Sequence, residues 1–349
     1  MEGKCHWPIP LSNRFGVYSA SMADFRTIKI ASQWAYEQPL LAVRIDPARR
    51  WAVTSSEDNS LQRWTLAESP PKPMVLKAHE SWVHALLFSK EGNSLLSGGC
   101  DGRLIWWSIA ESEPKPIRTL DAHQGWIRGL ALSPDGSQVA SCGNDKKIAL
   151  WNIVTGEKLF ELIGHERDVW SVLFHPDGKQ LISGDLMGKI HVWDLTERKI
   201  ARSIDGKPLH TYEAGQRVDF GGVRTLAMSG DGATLLAGGL HKATNPLGAV
   251  HEPLCLRFDF STGELKKSQV AEGVKGGVLW RMQFLPDGTE VGVSGGSSGG
   301  LLLFWNGEGE KEIHRLPLPN IARDMDLSSD GLSIATAHHD KHLRISVMT

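Results

Sequence analysis

The sequence is poor in cysteine, carries almost no net charge and contains no long apolar run. Its 349 residues hold 38 Lys and Arg against 40 Asp and Glu, a net charge of −2. That balance leaves no basic excess for nucleic acid or an anionic membrane surface, so we expect neither as a partner. The four cysteines show no metal-ligand spacing and are typical of reduced thiols in an intracellular, cytoplasmic protein: Cys5, Cys100, Cys142 and Cys255.

The chain also has no segment that looks like a membrane span or a signal peptide. The start, MEGKCHWPIPLSN, lacks an apolar core, and no later run is long enough to cross a bilayer. Residues 1–22, with Pro8 and Pro10, are predicted to form an irregular arm. Residues 23–349 are predicted to form a single domain despite their length, because they repeat.

Turn residues and tryptophan are abundant, with 37 Gly and 13 Trp. From His123 to Asn152, three short apolar runs are separated by Pro134-Asp135-Gly136 and Gly143-Asn144-Asp145. Such turns between β-branched runs predict an antiparallel meander, and Thr155-Gly156 leads into a fourth strand. An aromatic residue recurs at the end of successive repeats. Most intervals between these aromatic residues are roughly 40–45 residues, the usual length of a four-stranded propeller blade. These aromatic residues are Trp64, Trp107, Trp151, Trp193, Phe258 and Trp305.

Three short motifs recur in phase with these aromatics, and together they resemble the WD40 repeat family from about Asp24 onward. The repeats open with Ala-His or Gly-His, turn with Pro-Asp-Gly, and close with an aromatic residue followed by Asp or Asn. Clear instances are Ala78-His79, Ala122-His123, Gly164-His165, Pro176-Asp177-Gly178, Pro286-Asp287-Gly288, Trp193-Asp194 and Trp305-Asn306. The resemblance implies an all-β fold, a seven-bladed β-propeller of four-stranded antiparallel blades.

Two irregularities in the repeats bear on how the ring closes and where loops project. The last repeat ends with its third strand, His342–Val347, and we expect Phe25–Ala31 to supply the fourth. Pairing the N-terminal strand with the C-terminal repeat would remove the open edges. The long step from Trp193 to Phe258 predicts two inserted loops of blade five, Gly206–Gly222 and His241–Pro253, both on the upper face. Their histidines have no spacing typical of a metal site.

The family resemblance also implies a buried polar tetrad of His, Ser or Thr, Asp and Trp in each full repeat. It places complete sets in repeats two and three: His79, Ser97, Asp101 and Trp107, then His123, Ser141, Asp145 and Trp151. A Ser-His-Asp set resembles a catalytic triad, but its recurrence and its Trp partner indicate a structural network. Repeat four is predicted to be incomplete, with Met187 at the Asp position. Repeat one has Tyr36 in place of His, and repeat seven keeps only Thr336 and Asp340.

The clearest binding signal lies near the start of each first strand, two positions before its first inward aliphatic residue. There the seven repeats carry Leu41, His84, Arg128, Trp170, Arg224, Trp280 and Arg323. In WD40 propellers this position resembles the ring that lines the upper mouth of the central channel, with Trp82 and Trp126 near its rim. Arg and Trp dominate interface hot spots, and the Arg fork suits carboxylate or phosphate. The alternative is that these side chains stack on one another and bind nothing.

These patterns together predict a non-catalytic scaffold that binds a protein or peptide at the upper mouth, aided by His241 and His251 of the blade-five loops. The Arg residues favour an acidic or phosphorylated segment. A small-molecule-sensing or enzymatic propeller with its site at the mouth is the alternative, although the ring positions contain no Asp or Glu. A structural subunit held by its side is a third. We expect no cofactor, no metal, and a monomer or a subunit of a hetero-complex.

Overall fold

The strands form seven four-stranded antiparallel sheets, the blades of a β-propeller. The computed structural model describes residues 24–215, 217–245 and 250–349, so the predicted arm lies outside the described residues. First strands of neighbouring blades contact one another all the way round, including blade seven with blade one. The predicted fold class is therefore confirmed.

Blades one to four follow the chain in order, with the first strand innermost. Blade one comprises Leu40–Ile45, Trp51–Ser56, Leu61–Thr65 and Met74–Leu76. Blade two comprises Val83–Phe88, Leu95–Gly99, Arg103–Trp107 and Pro116–Asp121. Blade three comprises Ile127–Leu132, Gln138–Gly143, Lys147–Asn152 and Lys158–Ile163. Blade four comprises Val169–Phe174, Gln180–Asp185, Lys189–Asp194 and Lys199–Asp205.

Blades five to seven keep the same plan. Blade five comprises Val223–Met228, Thr234–Asn245, Val250–Asp259 and Leu265–Val270. Blade six comprises Val278–Phe284, Glu290–Gly296, Gly299–Trp305 and His314–Leu318. Blade seven comprises Ala322–Leu327, Ser333–His338, His342–Val347 and Lys29–Ala35.

The core lies between the blades. The second strands are buried almost along their whole length because both of their faces are covered by neighbouring blades. Outer strands such as Lys199–Asp205 alternate buried and exposed positions, since they face solvent on one side. Among the cysteines of the described residues, Cys142 and Cys255 are buried and Cys100 is half-buried. No helix among the described residues has the length and apolarity needed to cross a membrane.

The ring is closed by the N-terminal segment, as predicted, but with a different strand. Phe25–Thr27 is a short 3-10 helix, and the closing strand is Lys29–Ala35, which pairs antiparallel with His342–Val347. The expected span Phe25–Ala31 was wrong because Asp24 caps the turn, its side chain accepting from the backbone N–H of Arg26 at 3.0 Å. The cap turns Phe25 into the core instead of along the sheet.

The two insertions of blade five are both built from strands. The first carries the 3-10 helix Lys207–Leu209 and the hairpin His210–Glu213/Val218–Gly221. The second, predicted as a loop, continues the second and third strands of the blade as a paired hairpin. Phe220 of the first insertion and Ala243 of the second, together with Leu240 just before it, pack with Val278 and Trp280 of blade six. Both insertions thus lie on the side where the ring residue Trp280 is found.

Candidate functional site

The polar tetrads of blades two and three are complete hydrogen-bonded chains. In blade two, His79 Nδ1 donates to Asp101 at 3.0 Å, Ser97 Oγ lies 2.7 Å from His79 Nε2, and Trp107 Nε1 donates to Ser97 at 2.8 Å. Blade three repeats the arrangement with almost the same distances through His123, Ser141, Asp145 and Trp151. Each polar side chain of these two tetrads has a hydrogen-bond partner within the set, which offsets the cost of burying a carboxylate.

Blade four also has a complete tetrad, so the prediction that Met187 replaces its acid was wrong. Asp185 Oδ2 lies 2.8 Å from His165 Nδ1, and Ser183 joins His165 at 2.7 Å to Trp193 at 2.8 Å. In blades two and three the acid lies in the turn, four residues after the Ser. Asp185 follows Ser183 by two residues on the same strand, and the strand period of two places both side chains on one face.

Replacing Asp185 should therefore destabilise the fold, and replacing Met187 should not. We expect Asp185→Ala to cost about 1–3 kcal/mol, because it leaves His165 and the backbone N–H groups of Met187 and Lys189 without their acceptor. Denaturant unfolding of the two alanine variants measures the difference. Equal losses at the two positions would contradict the role of Asp185.

Outside blades two to four the network changes its members. In blade one, Tyr36 stands in for His and donates to Asp58 at 2.9 Å, while Trp64 donates to Thr54. In blade seven, Thr336 pairs with His338 at 2.7 Å, and Asp340 instead binds Arg344 through both oxygens. The polar side chains of blades one and seven are therefore also hydrogen-bonded, but with partners that differ from those of the tetrads in blades two to four.

The seven predicted ring residues all lie at the same structural feature, a β-bulge in the first strand. The pairing of each first strand with its second shifts at that residue, as between Val83 and Ala85 or between Val223 and Thr225. A bulge re-aims the side chain of its extra residue. All seven therefore line one cavity of about 550 Å³ at the channel mouth: Leu41, His84, Arg128, Trp170, Arg224, Trp280 and Arg323.

Cations and aromatic rings alternate along the blade three to five side of this mouth. Arg128 lies over Trp126 and Trp170, with Cζ 4.3 and 4.0 Å from the ring centroids. Arg224 lies 3.7 Å from the Trp170 centroid. We call Arg128, Trp170 and Arg224 the arginine ladder. Each contact is a cation–π pair, so the predicted stacking alternative is part of the structure and still leaves the guanidinium edges for a ligand.

Arg224 is the cation of the ladder with least compensation. No carboxylate lies within ion-pair distance of it among the described residues, and its Nε and the Nε1 of Trp170 have no hydrogen-bond partner there. Burial, and then the charge of Arg128, lower the pKa of Arg224 to about 9. Arg128 is better held, because its Nε donates to Asn144 at 2.9 Å. An acceptor brought to Arg224 would satisfy a charge that the fold leaves unpaired.

Arg323 differs from the other two arginines because a carboxylate already caps it. Its Nη1 lies 3.0 Å from Glu57 Oε1, in the turn of blade one. The three ring arginines thus differ in how far a carboxylate balances their charge. The uncompensated charge is concentrated on blades three and five.

Histidine and tryptophan continue the lining toward blade two. His84 packs against Trp82 and Trp126, with centroids 6.4 and 6.3 Å apart, and both Trp rings are 40% exposed at the rim. Burial, with Arg128 and Arg323, lowers the pKa of His84 to about 4. His84 is thus neutral at physiological pH and adds apolar surface, not charge.

The two predicted loop histidines take different environments. His241 Nε2 lies 3.3 Å from Glu252, which also binds Lys242 at 2.9 Å. The Nε2 of His251 has no partner among the described residues, and burial together with Arg224 lowers the pKa of His251. The charge of Arg224 therefore acts on His251, whereas His241 belongs to a surface ion-pair group. Within the described part of the chain, His, Cys, Asp and Glu form no group of three suited to a metal ion.

Three residues that decide the properties of the channel were missed from the sequence. Glu57 and Asn144 lie in turns between second and third strands. Asn144 binds Arg128 within blade three, whereas the contact of Glu57 with Arg323 joins blades one and seven and depends on the closed ring. Arg281 follows the ring residue Trp280 and also lines the mouth cavity. The one available signal for Arg281 was its position next to a bulge, where two neighbouring residues can face the same side.

Comparisons with known proteins agree with this architecture. The family model for the WD domain, G-beta repeat, matches at residues 71–108, 114–152 and 156–194. These segments fall on blades one to four, so the resemblance to WD40 repeats is confirmed where the motifs are clearest. The protein is a β-propeller with WD40 repeats at these positions.

Several curated relatives share part of the chain. Striatin from Mus musculus is 28% identical over 173 residues, which is 47% of this chain and 18% of striatin. The chromatin assembly factor 1 subunit FAS2 homolog from Oryza sativa subsp. japonica is 27% identical over 206 residues, 57% of this chain and 33% of that protein. Periodic tryptophan protein 2 from Arabidopsis thaliana is 34% identical over 112 residues, 29% of this chain and 12% of that protein. The chain thus spans a third or less of each relative.

Proposed function

We propose that this protein is a non-catalytic interaction scaffold whose upper channel mouth binds an acidic or phosphorylated segment of a partner protein. The observation that carries the proposal is Arg224, a largely buried cation stacked on Trp170 without a carboxylate among the described residues. A guanidinium offers paired N–H donors that match carboxylate or phosphate oxygens. Water is partly excluded from the mouth, so this charge counts for more there than on open surface.

The shape of the mouth fits a chain segment. Trp82 and Trp126 offer rigid apolar surface at the rim, and the blade-five hairpins bring His251 to the same side as Arg224. Loops and hairpins projecting from a rigid scaffold are common recognition elements. The segment would enter along the rim tryptophans and place its acidic group on the ladder.

The polar sets of the blades do not support catalysis. Ser97, Ser141 and Ser183 are 0% exposed, and each hydroxyl is held between a His and a Trp. At the mouth, the carboxylate of Asp324 is held by Arg44 at 2.6 Å and by the Val43 N–H. These groups have no free partner for acid–base chemistry, and this supports a binding role over the enzymatic alternative.

The relatives suggest the setting of such binding. One of them is named as a subunit of chromatin assembly factor 1. By analogy, we propose that this chain acts within a hetero-complex. The free thiols Cys100, Cys142 and Cys255 favour the cytoplasm as its compartment.

Charge reversal at Arg224 tests the proposal. Acidic, phosphorylated and neutral peptides from an arrayed library would be titrated against the intact chain, followed by tryptophan fluorescence. We expect the acidic or phosphorylated peptides to bind preferentially, and Arg224→Glu to weaken them by about 2–5 kcal/mol if the contact is buried. Lys72→Glu, which makes the same charge change at an exposed lysine outside the mouth, should leave binding unaltered.

The structure adds a sharper comparison between two mouth arginines. Arg224→Gln should reduce the affinity for acidic peptides more than Arg323→Gln does, since Glu57 already balances the charge of Arg323. The proposal is contradicted if acidic and neutral peptides bind alike, or if acidic peptides bind equally well to wild type and to Arg128→Glu and Arg224→Glu. Melting temperatures of all variants establish that the fold is intact.

A further inference from the structure

A second chamber opens at the opposite end of the channel, where the turns between first and second strands lie. Its volume is about 660 Å³, within the range of roughly 300–1,000 Å³ usual for small-molecule sites. Pro134, Pro176 and Pro286 stand at its edge, and Phe174 and Phe284 line its wall. We call it the lower chamber.

The lower chamber adjoins the mouth cavity, and the two share part of their walls. Leu173, Leu226 and Arg281 line both cavities. Arg281 is the charged residue of the lower chamber; the others that line it there, among the described residues, are uncharged. A ligand in the lower chamber would therefore meet apolar walls and a single guanidinium at the inner end.

Arg281 has no hydrogen bond and no ion pair within 4 Å among the described residues. The two nearby carboxylates are already engaged: Asp324 accepts from Arg44 and the Val43 N–H, and Asp326 accepts from the Ile45 N–H at 2.8 Å and from Gln283 at 3.1 Å. Burial and Arg44 lower the pKa of Arg281 to about 10, so the side chain is still charged at neutral pH. Asp324 and Asp326 raise the pKa of Arg281 through their charge, but neither accepts a hydrogen bond from it, and its donors have no acceptor among the described residues.

We propose that the lower chamber binds a small amphiphilic carboxylate, an apolar body with one acid group that Arg281 holds through paired hydrogen bonds. The bidentate geometry of the guanidinium matches a carboxylate, and the aromatic and proline walls match the apolar body. Two sources share this chemistry: a free organic acid, and the C-terminal carboxylate of a peptide that ends in an apolar residue. The site is at the other end of the channel from the arginine ladder and does not depend on the function proposed there.

Matched acid and amide probes test the site on the intact chain. 4-Phenylbutyrate would be compared with 4-phenylbutanamide, and an acetylated tripeptide ending in Phe with its C-terminal amide, by isothermal titration calorimetry. We expect at least one acid to bind at least about tenfold more tightly than its amide, because only the acid forms the charge-assisted pair. Whichever acid binds more tightly identifies the source. The inference is overturned if neither acid binds, or if acids and amides bind alike.

Two variants and a control locate the binding. Gly230 lines the chamber, and a Cβ added to it meets nothing within 4 Å, so Gly230→Trp can fill the opening without disturbing the fold. We expect Gly230→Trp to abolish binding of both acids at an unchanged melting temperature, and Arg281→Gln to remove the preference for acid over amide. Arg224→Gln, at the upper mouth, should leave the titration as in wild type. Acid binding that persists in Gly230→Trp, or that is lost in Arg224→Gln, would place the site elsewhere.

Discussion

A chain lacking residues 1–35 is expected to be insoluble or unfolded. The segment Asp24–Ala35 holds three blades together: Phe25 stacks on Phe304 of blade six at 5.4 Å, Lys29–Ala35 pairs along blade seven, and Trp34 packs on Trp64 of blade one at 6.4 Å. Removing it opens the edge of His342–Val347 and uncovers several large aromatic side chains, each worth about 1.5–3 kcal/mol when buried. The loss would be comparable to the whole stability of a domain, roughly 5–15 kcal/mol.

Restoration in trans separates the role of the strand from a general effect of truncation. A synthetic peptide of residues 24–36, added during refolding of the truncated chain, should recover a monomer with a cooperative thermal transition. The same peptide with Trp34→Ser should recover less. A truncated protein that is monomeric and melts like the full chain would contradict closure by this strand.

Mild acid is expected to destabilise the protein between pH 6.5 and pH 4. Burial, together with the nearby His165, lowers the pKa of His191 from 6.5 to about 4. Burial, together with the nearby Arg344, lowers the pKa of His338 from 6.5 to about 4. Above pH 6.5 both are neutral in the folded and the unfolded chain. Below pH 6.5 these histidines bind protons in the unfolded chain, whereas in the folded chain they bind them only near pH 4. The free energy of unfolding therefore decreases as the pH is lowered from 6.5 to 4. At pH 5 the loss is on the order of 2 kcal/mol for each histidine.

Denaturant unfolding at pH 8 and pH 5, at constant ionic strength, measures this loss. His191→Gln and His338→Gln should each reduce the difference between the two pH values, even though each lowers stability at pH 8. His339→Gln, which changes the exposed neighbour of His338, serves as the control. A pH difference that is the same in wild type and both buried-site variants would show that these histidines do not cause it.

The architecture could be predicted almost completely, because each blade is coded locally. The Pro-Asp-Gly turns and the closing aromatics fall within one repeat, so each four-stranded blade is specified mainly by its own residues. Errors arose where a neighbouring element overrides the local pattern. The sequence of Phe25–Thr27 is typical of a strand. In the structure Asp24 caps this segment as a turn, and Phe25 stacks on Phe304 of blade six.

The candidate site was predictable in its membership and less so in its energetics. Counting along the repeat located all seven ring residues, since the bulge recurs at a fixed place in each first strand. The fixed spacing between Ser and Asp did not predict Asp185. The tetrad needs a carboxylate within hydrogen-bond distance of His165, and residues at different spacings can supply it. Counting along the repeat could not show that Glu57 balances Arg323, since these residues lie 266 positions apart and meet only in the closed ring. Nor could it show that Arg224 has no acid within ion-pair distance among the described residues.

The closing strand has a consequence for synthesis of the chain. Lys29–Ala35 is among the first described segments to be made and His342–Val347 among the last. At translation rates of about 5–20 residues per second, the early strand waits roughly 15–60 s for its partner to emerge. Its sequence suits that delay: Lys29, Ala31 and Gln33 alternate with the half-buried or buried Ile30, Ser32 and Trp34, so one face stays polar or small. Most of the propeller can thus emerge from the ribosome before His342–Val347 becomes available to pair with Lys29–Ala35 and close the ring.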